Sequence, residues 1–80
     1  MNRKLKYIRT RETFIVFAEP TSHSKVGKGL ETISAGFCYQ TVSLRELDIC
    51  WTCYGESVSL KLKSLPEDSE LLTNQMNGNF

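Results

Sequence analysis

Cys50-Trp51-Thr52-Cys53 is the grouping in this chain whose spacing most resembles a reactive or metal-binding site. Two thiolates so spaced can share a metal ion at about 2.3 Å if a tight turn brings them together, and Gly55 could assist such a turn. Cys38 and His23 would then complete a Cys3His zinc set. The surrounding pattern opposes this reading. Leu47, Ile49, Trp51 and Cys53 fall on alternate positions, as in a strand, and an odd offset along a strand sends Cys50 and Cys53 to opposite faces. No second C-x-x-C or H-x3-H pair is present. A thioredoxin-like dithiol needs its first thiol at a helix N-terminus, whereas Gly55-Glu56-Ser57 leads into another alternating stretch. No cofactor is expected. With three cysteines, full internal pairing is impossible, and free thiols in a reducing cytoplasm are the simplest reading.

His23 stands between Ser22 and Ser24, which raises the question of a nucleophile and its base. Adjacent side chains seldom reach the required geometry, and no G-x-S-x-G elbow exists, so no catalytic residue is assigned. Lys25-Val26-Gly27-Lys28-Gly29 has the glycine and charge that suit a phosphate contact. It lacks the P-loop pattern and the strand-loop-helix frame that goes with it. A flexible basic loop is the plainer reading.

The elements that would position these residues follow from periodicity. Residues 4–17 favour one strand, or two joined near Thr10-Arg11, ending in the apolar run Phe14-Ile15-Val16-Phe17. Glu19-Pro20 breaks the pattern, and Ser22 or Ser24 can cap a short helical turn ended by Gly27 and Gly29. Residues 33–42 alternate clearly, with Ile33, Ala35, Phe37 and Tyr39 on the expected core face. Residues 47–54 and 58–63 alternate again, predicting a hairpin around Tyr54-Gly55-Glu56 after a turn at 43–46. Ser64-Leu65-Pro66-Glu67 fits a capping box for a last helix whose apolar face would be Leu65, Leu71, Leu72 and Met76. The expected fold is α+β: one domain over residues 1–80, with an antiparallel sheet of roughly three to five strands packed against one C-terminal helix.

Eighty residues, 40% of them apolar, can build a small core and argue against wholesale disorder. No apolar run approaches the roughly 20 residues that span a bilayer, and no secretory leader is evident, so a cytoplasmic protein without a membrane role is expected. The net charge of +1 is unevenly spread. Arg3, Lys4, Lys6, Arg9 and Arg11 precede the first acid, and Glu67, Asp68 and Glu70 are the only charges after Ser64. A basic strand can attract phosphate, and an acidic helix a basic partner. The small, uncharged face formed by Ser34, Gly36, Cys38 and Gln40, extended by Cys50, Thr52 and Tyr54, is expected to lie opposite the helix. It would suit self-association or a partner protein.

Several stretches look familiar together: His23-Ser24, Ser34-Ala35-Gly36-Phe37, Gly55-Glu56-Ser57-Val58-Ser59-Leu60, and Ser64-Leu65-Pro66-Glu67-Asp68-Ser69-Glu70-Leu71-Leu72. They resemble short uncharacterised proteins of phages and of bacterial mobile or prophage regions. The resemblance covers residues 5–76 and includes no catalytic motif. It implies a bacterial or phage cytoplasmic setting, in which accessory proteins of this size commonly bind a host protein, a nucleic acid or a signalling nucleotide. On that footing His23, Lys25, Ser34, Gly36, Glu56 and Ser57 are the ligand- or partner-binding candidates. The expected function is a non-enzymatic binding protein, homo-oligomeric and directed at a host factor. One alternative is a nucleotide or nucleic-acid binder using the basic N-terminal strand and residues 22–29, and another is a zinc-stabilised domain.

Overall fold

The computed structural model describes residues 5–42 and 49–78; the turn expected at 43–46, Leu47, and the basic residues Arg3 and Lys4 lie outside them. β-Branched and aromatic residues open the described chain as two strands, β1 (Leu5–Thr10) and β2 (Phe14–Ala18), paired antiparallel from Leu5–Ala18 to Arg9–Phe14. The chain reverses at the expected place. Thr10 Oγ1 accepts from the backbone N–H groups of Glu12 and Thr13, while Thr10 N–H donates to Thr13 O. After the cis Glu19–Pro20 bond, Ser22 Oγ accepts from Lys25 N–H at 3.2 Å and caps a short helix, α1 (His23–Gly27).

The strands β3 (Thr32–Val42) and β4 (Ile49–Tyr54) complete a four-stranded sheet in the order β2-β1-β3-β4, with every neighbouring pair antiparallel. The register slips between the Arg9–Ser34 and Thr10–Thr32 pairs, which leaves Ile33 as the extra residue of a bulge. Ile33 is therefore exposed rather than aligned with Ala35 and Phe37 on a core face.

The hairpin expected around 54–56 is displaced. β4 pairs with β3, and at Gly55, with φ +76°, the chain turns across the sheet instead of back along β4. It then forms β5 (Glu56–Ser57), reverses over 58–61 and returns as β6 (Leu62–Lys63). The crossing passes directly over Gly36. A Cβ there would lie 2.5 Å from Tyr54 O, so only glycine admits the approach.

The C-terminal helix α2 (Asp68–Met76) covers one face of the sheet, and Tyr7, Phe14, Cys38, Trp51 and Leu72 close the core between them. This is the expected α+β arrangement of an antiparallel sheet and a C-terminal helix. The face it covers, however, is the one expected to stay open. Cross-strand pairing sets Gly36 beside Tyr7, Cys38 beside Cys53 and Gln40 beside Trp51, so the small side chains of β3 make room for large rings on its neighbours. Ser34, Gly36 and Cys38 are consequently buried on the helix side.

Two details of α2 also depart from expectation. The helix begins after Glu67, not at Ser64, and Asp68 reaches back from the first turn to accept Leu65 N–H at 3.0 Å. Of the expected apolar face only Leu72 is fully buried, and Leu71 and Met76 are exposed. The reason is that α2 meets the strand edges through polar side chains. Ser69 Oγ accepts from Cys53 N–H and Thr73 Oγ1 from Trp51 N–H, each at 2.8 Å, while Asn77 Nδ2 donates to Ile49 O. On the other edge, the Gln75 amide accepts from Phe14 N–H and donates to Phe14 O.

Candidate functional site

A row of rings runs across the sheet face opposite α2. Phe17 from β2 meets His23 edge-on at 5.4 Å, and His23 meets Phe37 edge-on at 5.6 Å. Phe37 continues to Tyr54 and Tyr54 to Tyr39, each pair 5.8 Å apart. The two ends of the row differ. His23 is buried, and its Nε2 lies 2.7 Å from Gly36 O. Because a carbonyl can only accept, Nε2 carries the hydrogen and donates it. The contact fastens α1 to the sheet and buries His23 between Phe17 and Phe37, which are themselves half-buried.

At the far end Tyr54 is 40% exposed and Tyr39 is half-buried, with the cross-strand neighbours Thr41 and Cys50 exposed beside them. From Phe37 to Val42, and throughout β4, the sequence has no charged residue. The result is a flat aromatic and hydroxyl surface. Sequence reading assigned Tyr39 and Tyr54 to opposite faces, because alternation gives each strand's parity but not the register that joins strands. Cys50, Thr52 and Tyr54 do share the open face as expected, accompanied by Tyr39 and Thr41 rather than by Ser34, Gly36, Cys38 and Gln40.

The other candidate positions take several distinct roles. Lys25 is exposed on α1. Ser34 is fully buried, and its Oγ is the buried side-chain polar atom left without a hydrogen-bond partner among the described residues. Ser57 Oγ accepts from Leu60 N–H at 3.3 Å and fixes the 58–61 reversal. Glu56 is exposed and, with Ser57, Ile33, Val58 and Leu62, lines a shallow depression of about 590 Å³. Of the six candidates, the structure hydrogen-bonds His23 to Gly36, sets Glu56 and Ser57 on one depression, and leaves Lys25 and Ser34 apart from both pairs.

A buried polar centre, which sequence reading missed, lies under α2. Asp68 has no exposed surface; its carboxylate accepts from Tyr7 Oη–H at 2.6 Å, Arg9 Nη1 at 3.0 Å and Leu65 N–H at 3.0 Å. Burial, and then the hydrogen bond to and charge of Asp68, hold the Tyr7 phenol far above its ordinary value. Burial pushes the Cys38 thiol up to about 12, with a contribution from Cys53. Burial and the charge of Asp68 push Cys53 up to about 11, against hydrogen bonds from Tyr7 and Ser69 that lower it. Both thiols and the phenol are thus kept protonated at neutral pH, a poor state for a nucleophile. The only hint in the sequence was Tyr7 and Arg9 two apart on one strand face.

The basic N-terminal strand meets acids of its own chain. Lys6 Nζ lies 3.3 Å from Glu19 and donates to Thr21 O, Arg9 also approaches Glu67, and Arg11 pairs with Glu31 at 3.4 Å. Cys53 faces Cys38 under α2 whereas Cys50 faces Thr41 on the open side, the separation their odd offset predicts. Among the described residues no group of three or more His, Cys, Asp or Glu could hold a metal ion. No helix among them is long and apolar enough to cross a membrane. No protein-family model matches the chain, and comparison with curated proteins and with solved structures gives no match.

Proposed function

We propose that the chain is a non-enzymatic binding protein of phage or prophage origin that works in the bacterial cytoplasm by holding a host protein against the open face of β3 and β4. The observation that carries this reading is the exposed end of the ring row, Tyr54 and Tyr39, on strand stretches (Phe37 to Val42 and β4) that carry no charged residue. Tyrosines supply large contact area and a hydroxyl at low conformational cost, and depletion of charge marks the centre of protein interfaces. Support for the setting is the sequence resemblance to phage and prophage proteins. The other face of the sheet is filled by α2, which makes this side the natural place for a partner or a second copy.

The same two rings also favour a second reading, since exposed tyrosines on a sheet can stack bases while Lys25 on α1 and Lys28 just after it, both exposed, approach phosphate. The pairing of Lys6, Arg9 and Arg11 with acids weighs against it.

A pull-down from host bacterial extract with the wild-type chain and with Tyr54→Lys separates these readings. The expected result is one protein captured in fixed stoichiometry, retained as salt is raised, and lost with Tyr54→Lys while the fold persists by circular dichroism. Capture unchanged by Tyr54→Lys would overturn the assignment to this face. Recovery of nucleic acid with steep salt dependence would favour the second reading.

A further inference from the structure

Cys53 has a closer sulfur neighbour than the Cys50 that its sequence spacing brings to notice. Cys38 on β3 and Cys53 on β4 are direct cross-strand partners and share the helix-covered face. Their pair is of the closer kind. Cys53 N–H points away from β3 to Ser69 Oγ, and Trp51 N–H likewise to Thr73 Oγ1, so both residues turn their hydrogen-bonding groups outward. An antiparallel pair whose strands exchange no hydrogen bond at that position has Cα atoms about 4.5 Å apart and its side chains nearest each other. Disulfides span Cα separations of about 4.4–6.8 Å. All three cysteines are free.

We propose that Cys38 and Cys53 form a reversible dithiol–disulfide pair, a cross-strand modification site that links β3 to β4 under α2. The oxidant is a small-molecule disulfide of the glutathione class. Cys53, half-buried where Cys38 is fully buried, meets it first. Its thiolate attacks one sulfur, forming a mixed disulfide and releasing one glutathione thiolate. Cys38 then attacks the Cys53 sulfur, the mixed disulfide breaks and the second glutathione leaves. The two protein thiols lose two electrons and two protons, which the two glutathione thiols gain. Because burial keeps both groups protonated, the exchange is slow at neutral pH and quickens as the solution becomes alkaline. Cys50, exposed on the opposite face, stands outside the pair.

The test treats the folded chain and its Cys50→Ser variant with oxidised glutathione at mildly alkaline pH, blocks remaining thiols by alkylation, and reads both by mass spectrometry without reduction. The expected variant mass is about 2 Da lower, with no alkylated cysteine. In the native chain the linked peptides join Cys38 to Cys53, and in the variant, which has no thiol left to alkylate, a reductant restores the starting mass. Two free thiols in the variant would overturn the proposal, as would a glutathione adduct on each cysteine without a link. So would a native chain linked through Cys50.

Discussion

Asp68 is shut off from solvent, and a phenol, a guanidinium and a backbone amide converge on its carboxylate. Removing that charge leaves Arg9 with the more distant and half-exposed Glu67 as its acidic partner among the described residues. Asp68→Asn is therefore expected to cost about 3 kcal/mol, read as a lower urea midpoint, because breaking one side of a buried ion pair strands the other. A second expectation concerns alkaline pH. Below the ordinary thiol value of 9.0, Cys38 is protonated in the folded and the unfolded chain alike. Above it, the unfolded chain releases the proton, whereas the folded chain keeps it until about 12. Stability should fall with rising pH across that window, by about 1.4 kcal/mol per pH unit for this one group. Cys53 and Tyr7 act in the same direction. Urea midpoints measured as pH is raised should decline less steeply in Cys38→Ala; an identical slope would show that Cys38 is not the group responsible.

At the scale of elements, α2 serves the outer strands as a neighbouring strand would. Edge strands carry unpaired N–H and C=O groups that invite aggregation. Here Ser69, Thr73 and Asn77 occupy those of β4, while Gln75 completes Phe14 on β2. Thr73→Val keeps the shape but leaves Trp51 N–H without its acceptor, so a loss of about 1–2 kcal/mol is expected, together with faster hydrogen exchange at the Trp51 amide. Thr73→Ser should retain most of the stability. The strands, the short helix after Ser22 and the last helix were legible from alternation, capping and propensity, which are local signals. The side of the sheet that α2 covers was not, because it depends on which strands become neighbours and in what register. The Tyr54–Gly55 turn was misread for the same reason: Gly55 fits a hairpin as well as a crossing, and the close backbone approach at Gly36 tells them apart. The six candidate positions shared that limit, since a buried serine and an exposed one look alike in sequence.

Taken whole, the described residues form a slab 39 × 29 × 18 Å with one face filled and the other partly bare. Adjacent residues of β4 should therefore respond oppositely to mutation. Trp51, 8% exposed beneath α2, is expected to cost about 3–5 kcal/mol when truncated to alanine. Thr52→Lys, on the open face, should change stability by about 0.5 kcal/mol or less. Urea titration of the two variants reads the difference, and similar losses from both would contradict a bare face. The Cys38–Cys53 link would change the molecule on the same scale. Closing a loop of about 15 residues raises stability by roughly 3 kcal/mol, so the oxidised form should unfold at higher urea than the reduced one.

The ladder between α2 and β4 joins two rulers of different pitch. Four residues of helix advance about 6.0 Å, whereas two residues of strand advance about 6.7 Å, so the helix falls behind by roughly 0.7 Å at each rung. The first two rungs are served by the short hydroxyls of Ser69 and Thr73, the third by the longer amide of Asn77, which makes up the lag. The mismatch of the two pitches thus adds to the lag along the seam, and the third rung is made by Asn77, the residue that follows the end of α2 at Met76.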